Sequence, residues 1–136
     1  MKLMTTAFAA LALLLGSLHV NAQEYVQSLK ELQPNADYEN IHVQKVYTDS
    51  TVSCFVIWVK NGVKPHYHAH HTENLVVIEG TAEMKVGDKS YTISAGDYIN
   101  IPQGTVHSVK VTSETPIKVI SMQSPEFLGK DRIFVE

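Results

Sequence analysis

Short apolar runs separated by turn residues dominate the chain from residue 40 onward. The runs, of roughly five to nine residues, are IHVQKVY, TVSCFVIWV, NLVVI, TAEMKV, KSYTI, DYINI, VHSVKV and IKVISM. Gly, Asn and Asp stand at most of the breaks, and these residues tolerate the backbone angles of tight turns. Many short strands with regular turns predict an all-β fold, an antiparallel sandwich or barrel, over residues 40–136.

The first 22 residues have a different pattern. Lys2 is followed by an apolar run without a charge, and Val20 and Ala22 place small residues at positions −3 and −1 of a cleavage site. This pattern predicts a secretory signal peptide over 1–22 and a protein exported to the periplasm or the medium. The alternative is a membrane anchor, but the apolar run is shorter than the ~20 residues of a span. We therefore expect no stable membrane span after signal removal.

Residues 23–39 form a separate N-terminal arm between the signal and the first strand. Tyr25, Leu29 and Leu32 recur at helical spacing, and Pro34 ends the pattern. The spacing predicts either one short helix or a docked arm.

Charge and cysteine content narrow the class of protein. Loss of Lys2 with the signal leaves a net charge of −4 and no basic block, so we expect no nucleic-acid binding. Cys54 is the single cysteine, which excludes an intrachain disulfide. Its apolar surroundings, CFVIWV, predict a buried, inert thiol, and the alternative is an exposed thiol that links two chains.

Candidate chemistry is concentrated in one stretch, PHYHAHHTE over residues 65–73, which holds four of the seven histidines. Side chains alternate between the two faces of a strand, so His66 and His68 share a face if the segment is extended. The following AHHT is polar and predicts a turn. The chain then re-enters a strand at ENLVVI, and two adjacent strands would present His66, His68 and Glu73 to one point.

A third histidine, His107, lies on the apolar face of VHSVKV together with Val109 and Val111. A lone inward histidine has an ordinary explanation, a neutral imidazole with one hydrogen bond. Because the chain also offers three other candidate ligands, a metal site explains His107 better than a lone buried imidazole does. Imidazole and carboxylate ligands suit divalent first-row metals, and four protein ligands leave positions open in an octahedral ion.

These residues resemble the two motifs of the cupin superfamily. The first is Gly62, His66-x-His68, four residues, Glu73, six residues and Gly80; the second is Gly96-Asp97, Pro102-x-Gly104, two residues and His107. The pair His68-x-His70 fits the glycine spacing of the first motif better but leaves two residues before Glu73. Val111 replaces the final Asn of the second motif. The 15 residues between the motifs match small single-domain members.

The resemblance implies a double-stranded β-helix, or jelly-roll barrel, with a metal at its centre. It implies that His66, His68, Glu73 and His107 hold a divalent transition metal, with Fe(II) or Mn(II) favoured over Zn, Ni or Cu. It further implies a homodimer in which the arm or the C-terminal residues cross to a partner. His70 and His71 remain either a solvated hairpin tip or, for His70, a proton-handling residue at the mouth.

Fold does not determine activity in this superfamily, and three functions stay open. The first is a metal-dependent enzyme, dioxygenase-like, on a small organic substrate, with Glu73 as a permanent ligand or as a general base. The second is a non-catalytic module that binds a small ligand or the metal. The third is a structural role in dimerisation. A polar pocket lined by Tyr91, Tyr98, Asn100 or Gln123 would favour an enzyme, and an apolar pocket a binder.

Overall fold

Two antiparallel five-stranded sheets make up the fold of the computed structural model, which describes residues 25–136. The strands within these residues are β1 (Ile41–Thr48), β2 (Ser53–Val59), β3 (Gly62–Tyr67), β4 (Thr72–Glu79), β5 (Thr81–Val86), β6 (Lys89–Ser94), β7 (Tyr98–Ile101), β8 (His107–Val111), β9 (Ile117–Ser124) and β10 (Ile133–Phe134). One sheet has the order β1-β2-β9-β4-β7 and the other β10-β3-β8-β5-β6. The all-β prediction is confirmed, whereas the predicted signal peptide over 1–22 lies outside the described residues.

The core forms where the two sheets face each other. In β4, Glu73, Leu75 and Val77 are buried while the residues between them are half-buried, as the alternation predicts. The remaining buried side chains of this core are Val59, Ala82, Met84, Ile93, Ile101, Ile117 and Val119. One end of this apolar interior carries the histidines described below.

Two glycines fit places where a side chain would collide with backbone. Gly80 joins β4 to β5 with a φ of 83°, a conformation that L-residues with a side chain rarely adopt. A Cβ on Gly62 would lie 2.4 Å from the carbonyl oxygen of Val109, because β3 and β8 approach closely there. The first motif glycine therefore lets the two strands that carry His66 and His107 pair.

The N-terminal arm contains a single turn rather than a helix within the described residues. The amide of Leu32 donates to the carbonyl of Ser28 at 3.1 Å, and the pattern does not continue. Lys118, on β9, is 1% exposed and donates from Nζ to the carbonyls of Lys30 and Leu32 at 3.1 and 2.8 Å. Because its neighbours Ile117 and Val119 face the core, Lys118 fixes the arm to the outer face of the sheet.

The C-terminal tail, residues 125–136, packs on a sheet edge. Its strand β10 pairs with β3, placing Phe134 opposite His66. The amide of Val135 adds a 3.1 Å hydrogen bond to the carbonyl of Pro65. The tail is thus a part of the sheet that carries the candidate site.

The thiol of Cys54 is partly buried, so the expectation of full burial was wrong. Cys54 lies on β2 with its side chain on the face opposite the core, because it alternates with the buried Ser53 and Phe55. Desolvation, with a smaller effect from Asp49, raises the pKa of the thiol. Cys54 therefore stays protonated at neutral pH. Among residues 25–136, we find no helix suited to crossing a membrane.

Candidate metal centre

Four predicted side chains meet at one end of the barrel. His66 lies near the end of β3, His68 follows that strand, Glu73 is on β4, and His107 begins β8. All four are at most 5% exposed. His66 and His107 are direct partners in the β3–β8 ladder, and both sheets contribute, since β4 belongs to the other one.

The ligand atoms of this group lie close enough to share one ion. The three histidines, His66, His68 and His107, each offer a ring nitrogen within 4.8 Å of the other two. Oε2 of Glu73 lies 3.5 Å from Nε2 of His68 and 3.3 Å from Nε2 of His107. These two buried Nε2 atoms have no hydrogen-bond partner within the described part of the chain. Unpartnered buried nitrogens of this kind fit a site that binds a cation.

A backbone carbonyl orients each of the three imidazoles through its Nδ1 atom. The acceptors are the carbonyl oxygens of Lys64 (2.8 Å from His66), Asp131 (2.5 Å from His68) and Thr105 (3.0 Å from His107). A carbonyl oxygen can only accept, so a neutral ring carries its hydrogen on Nδ1. The Nε2 lone pairs are thereby left free for a metal, which is the usual arrangement of metal-ligating histidines.

Two residues of β9 hold the carboxylate of Glu73. Oε1 accepts hydrogen bonds from the Ser121 hydroxyl at 2.5 Å and from the Gln123 amide at 3.2 Å. Oε2 is left facing the histidines. Gln123 was among the residues considered from the sequence, whereas Ser121 was missed. Ser121 could have been found from the alternation of β9. Ile117 and Val119 face inward, so Ser121 and Gln123, at the next alternate positions, put polar side chains on the same inward face.

Burial and close neighbours shift the ionisation of the group. Burial lowers the pKa of His66 to about 4, and repulsion from His107 and Arg132 adds to this effect, so His66 is neutral at pH 7. Burial would raise the pKa of Glu73, but His107, His68 and Ser121 together hold it well below its usual range. Burial also opposes charge on His68, yet the nearby Glu73 carboxylate leaves its pKa raised.

The remaining histidines of the cluster do not join this group. His71 is buried and donates from Nδ1 to Oδ2 of Asp131, while its Nε2 contacts the carbonyl of Glu126 at 3.0 Å. His70 is exposed, and its backbone amide donates to the same carboxylate at 2.8 Å. His70 does not line the cavity, and a proton-handling role for it stays a prediction. Sequence reasoning missed Asp131, which lies 60 residues from His71.

A small cavity of about 60 Å³ opens beside the candidate ligands. Apart from His66, His68, Glu73, His107 and Arg132, its lining is apolar. Tyr91, Tyr98 and Asn100 lie elsewhere, around a separate surface depression. The volume suits a few water molecules or a small organic group.

Comparison with known proteins identifies the family of this fold. The family model for the cupin domain matches residues 54–123. An uncharacterized protein of Aquifex aeolicus is 31% identical over 113 residues, which are 82% of this chain and 93% of that protein. The mannose-1-phosphate guanylyltransferase RfbM of Salmonella typhimurium is 35% identical over 112 residues, 81% of this chain. Those residues are only 22% of RfbM, so this chain spans about a fifth of that relative.

A solved structure shares the same architecture. It is an uncharacterized conserved protein with a double-stranded β-helix domain from Klebsiella pneumoniae, with a TM-score of 0.70, 20% identity, and coverage of 82% of this chain and 99% of that one. The family match over residues 54–123 includes His66, His68, Glu73 and His107. From the motifs, the barrel and these relatives together, the chain belongs to the cupin family.

Proposed function

We propose that this cupin binds one divalent transition metal through His66, His68, His107 and Glu73. The observation that carries the proposal is the convergence of three buried imidazoles, each fixed through Nδ1 to a carbonyl. A buried carboxylate beside three imidazoles makes a mixed nitrogen and oxygen set, which suits Fe(II) or Mn(II) and also accepts Zn, Ni or Cu.

We further propose a dioxygenase-like enzyme that acts on a small organic substrate. Four protein ligands leave coordination positions open, and an apolar cavity lies directly beside them. When bound, a redox-active metal supplies the reaction with O₂ that apolar side chains cannot supply. The described cavity contains no acid or base besides the candidate ligands, which disfavours isomerase or lyase chemistry that needs separate proton transfers.

Within this proposal, Glu73 acts as a permanent ligand rather than as a general base. Ser121 and Gln123 fix one carboxylate oxygen, so rotation away from the histidines would break both hydrogen bonds. A carboxylate with a lowered pKa is also a weak base. Glu73 would therefore hold the metal as a ligand, and Oε2 is the oxygen that faces His68 and His107.

The second candidate is a non-catalytic binding module, and the apolar lining of the cavity supports it. A pocket lined by Tyr91, Tyr98, Asn100 or Gln123 was expected to favour an enzyme and an apolar pocket a binder. None of these four residues lines the cavity, which favours a binder. The guanylyltransferase relatives are named for a sugar phosphate, and a ligand of that kind fits this site less well. Lys60 lies outside the cavity and donates to the Tyr38 carbonyl, and the cavity is small for a sugar.

Export and dimerisation complete the proposal. We propose that the predicted signal peptide directs the mature protein to the periplasm or the medium, and a mass measurement of the secreted form would test cleavage after Ala22. Dimerisation through the N-terminal arm or the C-terminal tail would be detected by light scattering coupled to size-exclusion chromatography.

Elemental analysis tests the metal proposal. The protein expressed from the full sequence, purified without a histidine tag or chelator, is compared with a His107→Ala variant and with His70→Ala as the matched control. We expect near-stoichiometric iron or manganese in the wild type and in His70→Ala, and its loss in His107→Ala. Absence of metal from the wild type after reconstitution would refute the proposal.

An oxygen-uptake screen separates the two functions. Iron- or manganese-loaded protein that consumes O₂ with a small organic compound, while the His107→Ala variant does not, supports the enzyme. A compound that binds saturably without O₂ uptake supports the binding module. Zinc as the sole native metal would turn the assignment towards hydrolytic, isomerase or structural roles.

A further inference from the structure

One cation, Arg132 of the C-terminal tail, lines the cavity beside the four candidate ligands. Its side chain is exposed, and it makes no ion pair or side-chain hydrogen bond with any residue that the structure describes. The two cationic residues that precede Arg132 in the sequence, Lys118 and Lys130, do not line the cavity. Lys118 instead donates to the N-terminal arm. Arg132 is therefore a free guanidinium at the edge of an apolar space.

The backbone on both sides of Arg132 is fixed. Asp131 is buried and contacts His68 through its carbonyl and His71 through its carboxylate. On the other side, Phe134 pairs with His66, and the two rings have centroids 5.8 Å apart. Residues two positions apart in extended backbone share a face, so Arg132 lies on the same face as Phe134, next to His66. The guanidinium is thus carried by an ordered segment.

The chemistry of the cavity selects the kind of molecule that Arg132 would bind. A guanidinium presents a planar fork of donors that matches a carboxylate. The other noncoordinating walls are hydrocarbon, including Leu75, Ile93 and Val119. A ligand that matches both the guanidinium and the hydrocarbon walls has one anionic end and a short apolar body.

We propose that the cavity binds a short-chain organic carboxylate, with the carboxylate paired to Arg132 and the hydrocarbon against the apolar wall. This proposal deepens the proposed function, since the ligand would lie beside the metal centre. A carboxylate fits better than a phosphate because one guanidinium balances one negative charge. The remaining lining also gives a phosphate few donors.

The test is an NMR titration of protein expressed from the full sequence, both metal-free and loaded with diamagnetic zinc. The probes are butyrate, its neutral isostere butyramide, and inorganic phosphate. We expect butyrate to bind saturably and shift the amides around Arg132, with butyramide weaker by about 10- to 100-fold. Phosphate should bind more weakly than butyrate.

Three variants assign the effect to the guanidinium. Arg132→Gln should weaken butyrate binding by about 10- to 100-fold and leave butyramide unchanged, whereas Lys130→Gln removes the same charge from the tail and should leave both unchanged. Arg132→Lys should retain part of the affinity, because it keeps the charge but not the fork. Resonances of the other residues report whether each variant stays folded.

Equal affinity for butyrate and butyramide, or unchanged butyrate affinity in folded Arg132→Gln, would overturn the proposal. Tighter Arg132-dependent binding of phosphate would overturn the carboxylate class. Failure of the metal proposal is seen separately, as absence of zinc from the reconstituted protein. In that event the metal-free titration still decides the role of Arg132.

Discussion

The backbone carbonyl of Asp131 accepts a 2.5 Å hydrogen bond from Nδ1 of His68, which precedes it by 63 residues. The Asp131 carboxylate also accepts from the amides of Ala69 and His70, at 2.9 and 2.8 Å, and from Nδ1 of His71. One residue of the C-terminal tail therefore orients four consecutive residues, 68–71. His68 and His71 thus share one partner, although only His68 faces the candidate metal site.

Replacing Asp131 by alanine should destabilise the protein and weaken its metal site. The change leaves two amides and the His71 ring without their acceptor, which we expect to lower the free energy of unfolding by about 3 kcal/mol. Loss of the tail's anchor should also lower metal affinity about 10-fold through disordering of His68. Urea unfolding and a competitive chelator titration measure the two effects.

The control for this change is Asp88→Ala, which removes an exposed carboxylate from the β5–β6 turn. This control should change neither the free energy of unfolding nor the metal affinity by a measurable amount. If Asp131→Ala keeps both its stability and its metal affinity, the tail does not support the site.

Removing the Ser121 hydroxyl should weaken metal binding more than folding. Ser121→Ala deletes the 2.5 Å donor to Oε1 of Glu73 and frees the carboxylate to rotate. We expect metal affinity to fall by about 10- to 100-fold, as found for residues that orient metal ligands. Isothermal titration with Mn(II) measures the change, and Ser90→Ala, on the exposed face of β6, is the control. Equal affinities in the two variants would contradict the orienting role.

Lys118→Met should release the N-terminal arm without disturbing the metal centre. The variant loses the ammonium that donates to the carbonyls of Lys30 and Leu32, while its apolar stem is retained. We expect amide hydrogen exchange in the arm to accelerate and the free energy of unfolding to fall by about 2 kcal/mol. Lys110→Met, at an exposed position on β8, should have no such effect. Unchanged exchange in the arm would show that Lys118 does not anchor it.

The carboxyl group of Asp49, in the β1–β2 turn, should titrate at an unusually low pH. Hydrogen bonds from the Thr51 hydroxyl and amide, with further bonds from Tyr47 and Val52, lower the pKa of Asp49 to about 2. A lowered carboxyl pKa contributes stability above its unfolded value near 4, and this stability is lost as pH falls through 2. Carboxyl NMR should give the low midpoint, and Thr51→Val should move it upward. A midpoint near 4 in the wild type would contradict these hydrogen bonds.

Much of the fold and part of the site follow from local pattern. Alternation alone placed His66 and His68 on one face and His107 inward with Val109, because strand side chains alternate strictly. The roles of Asp131 and Arg132 were not predictable in this way. They depend on where an irregular tail crosses a strand more than 60 residues away, and no periodicity encodes that crossing.

The position of β9 has a consequence for how the chain folds. It is the central strand of its sheet and pairs with β2 and β4, although it follows β4 by more than 35 residues along the chain. Until β9 leaves the ribosome, β2 and β4 each expose an unpaired edge, which is a site for aggregation. Such distant pairings also slow folding to the millisecond-to-second range. The barrel therefore closes only after β9 has been synthesised, well after its partners β2 and β4.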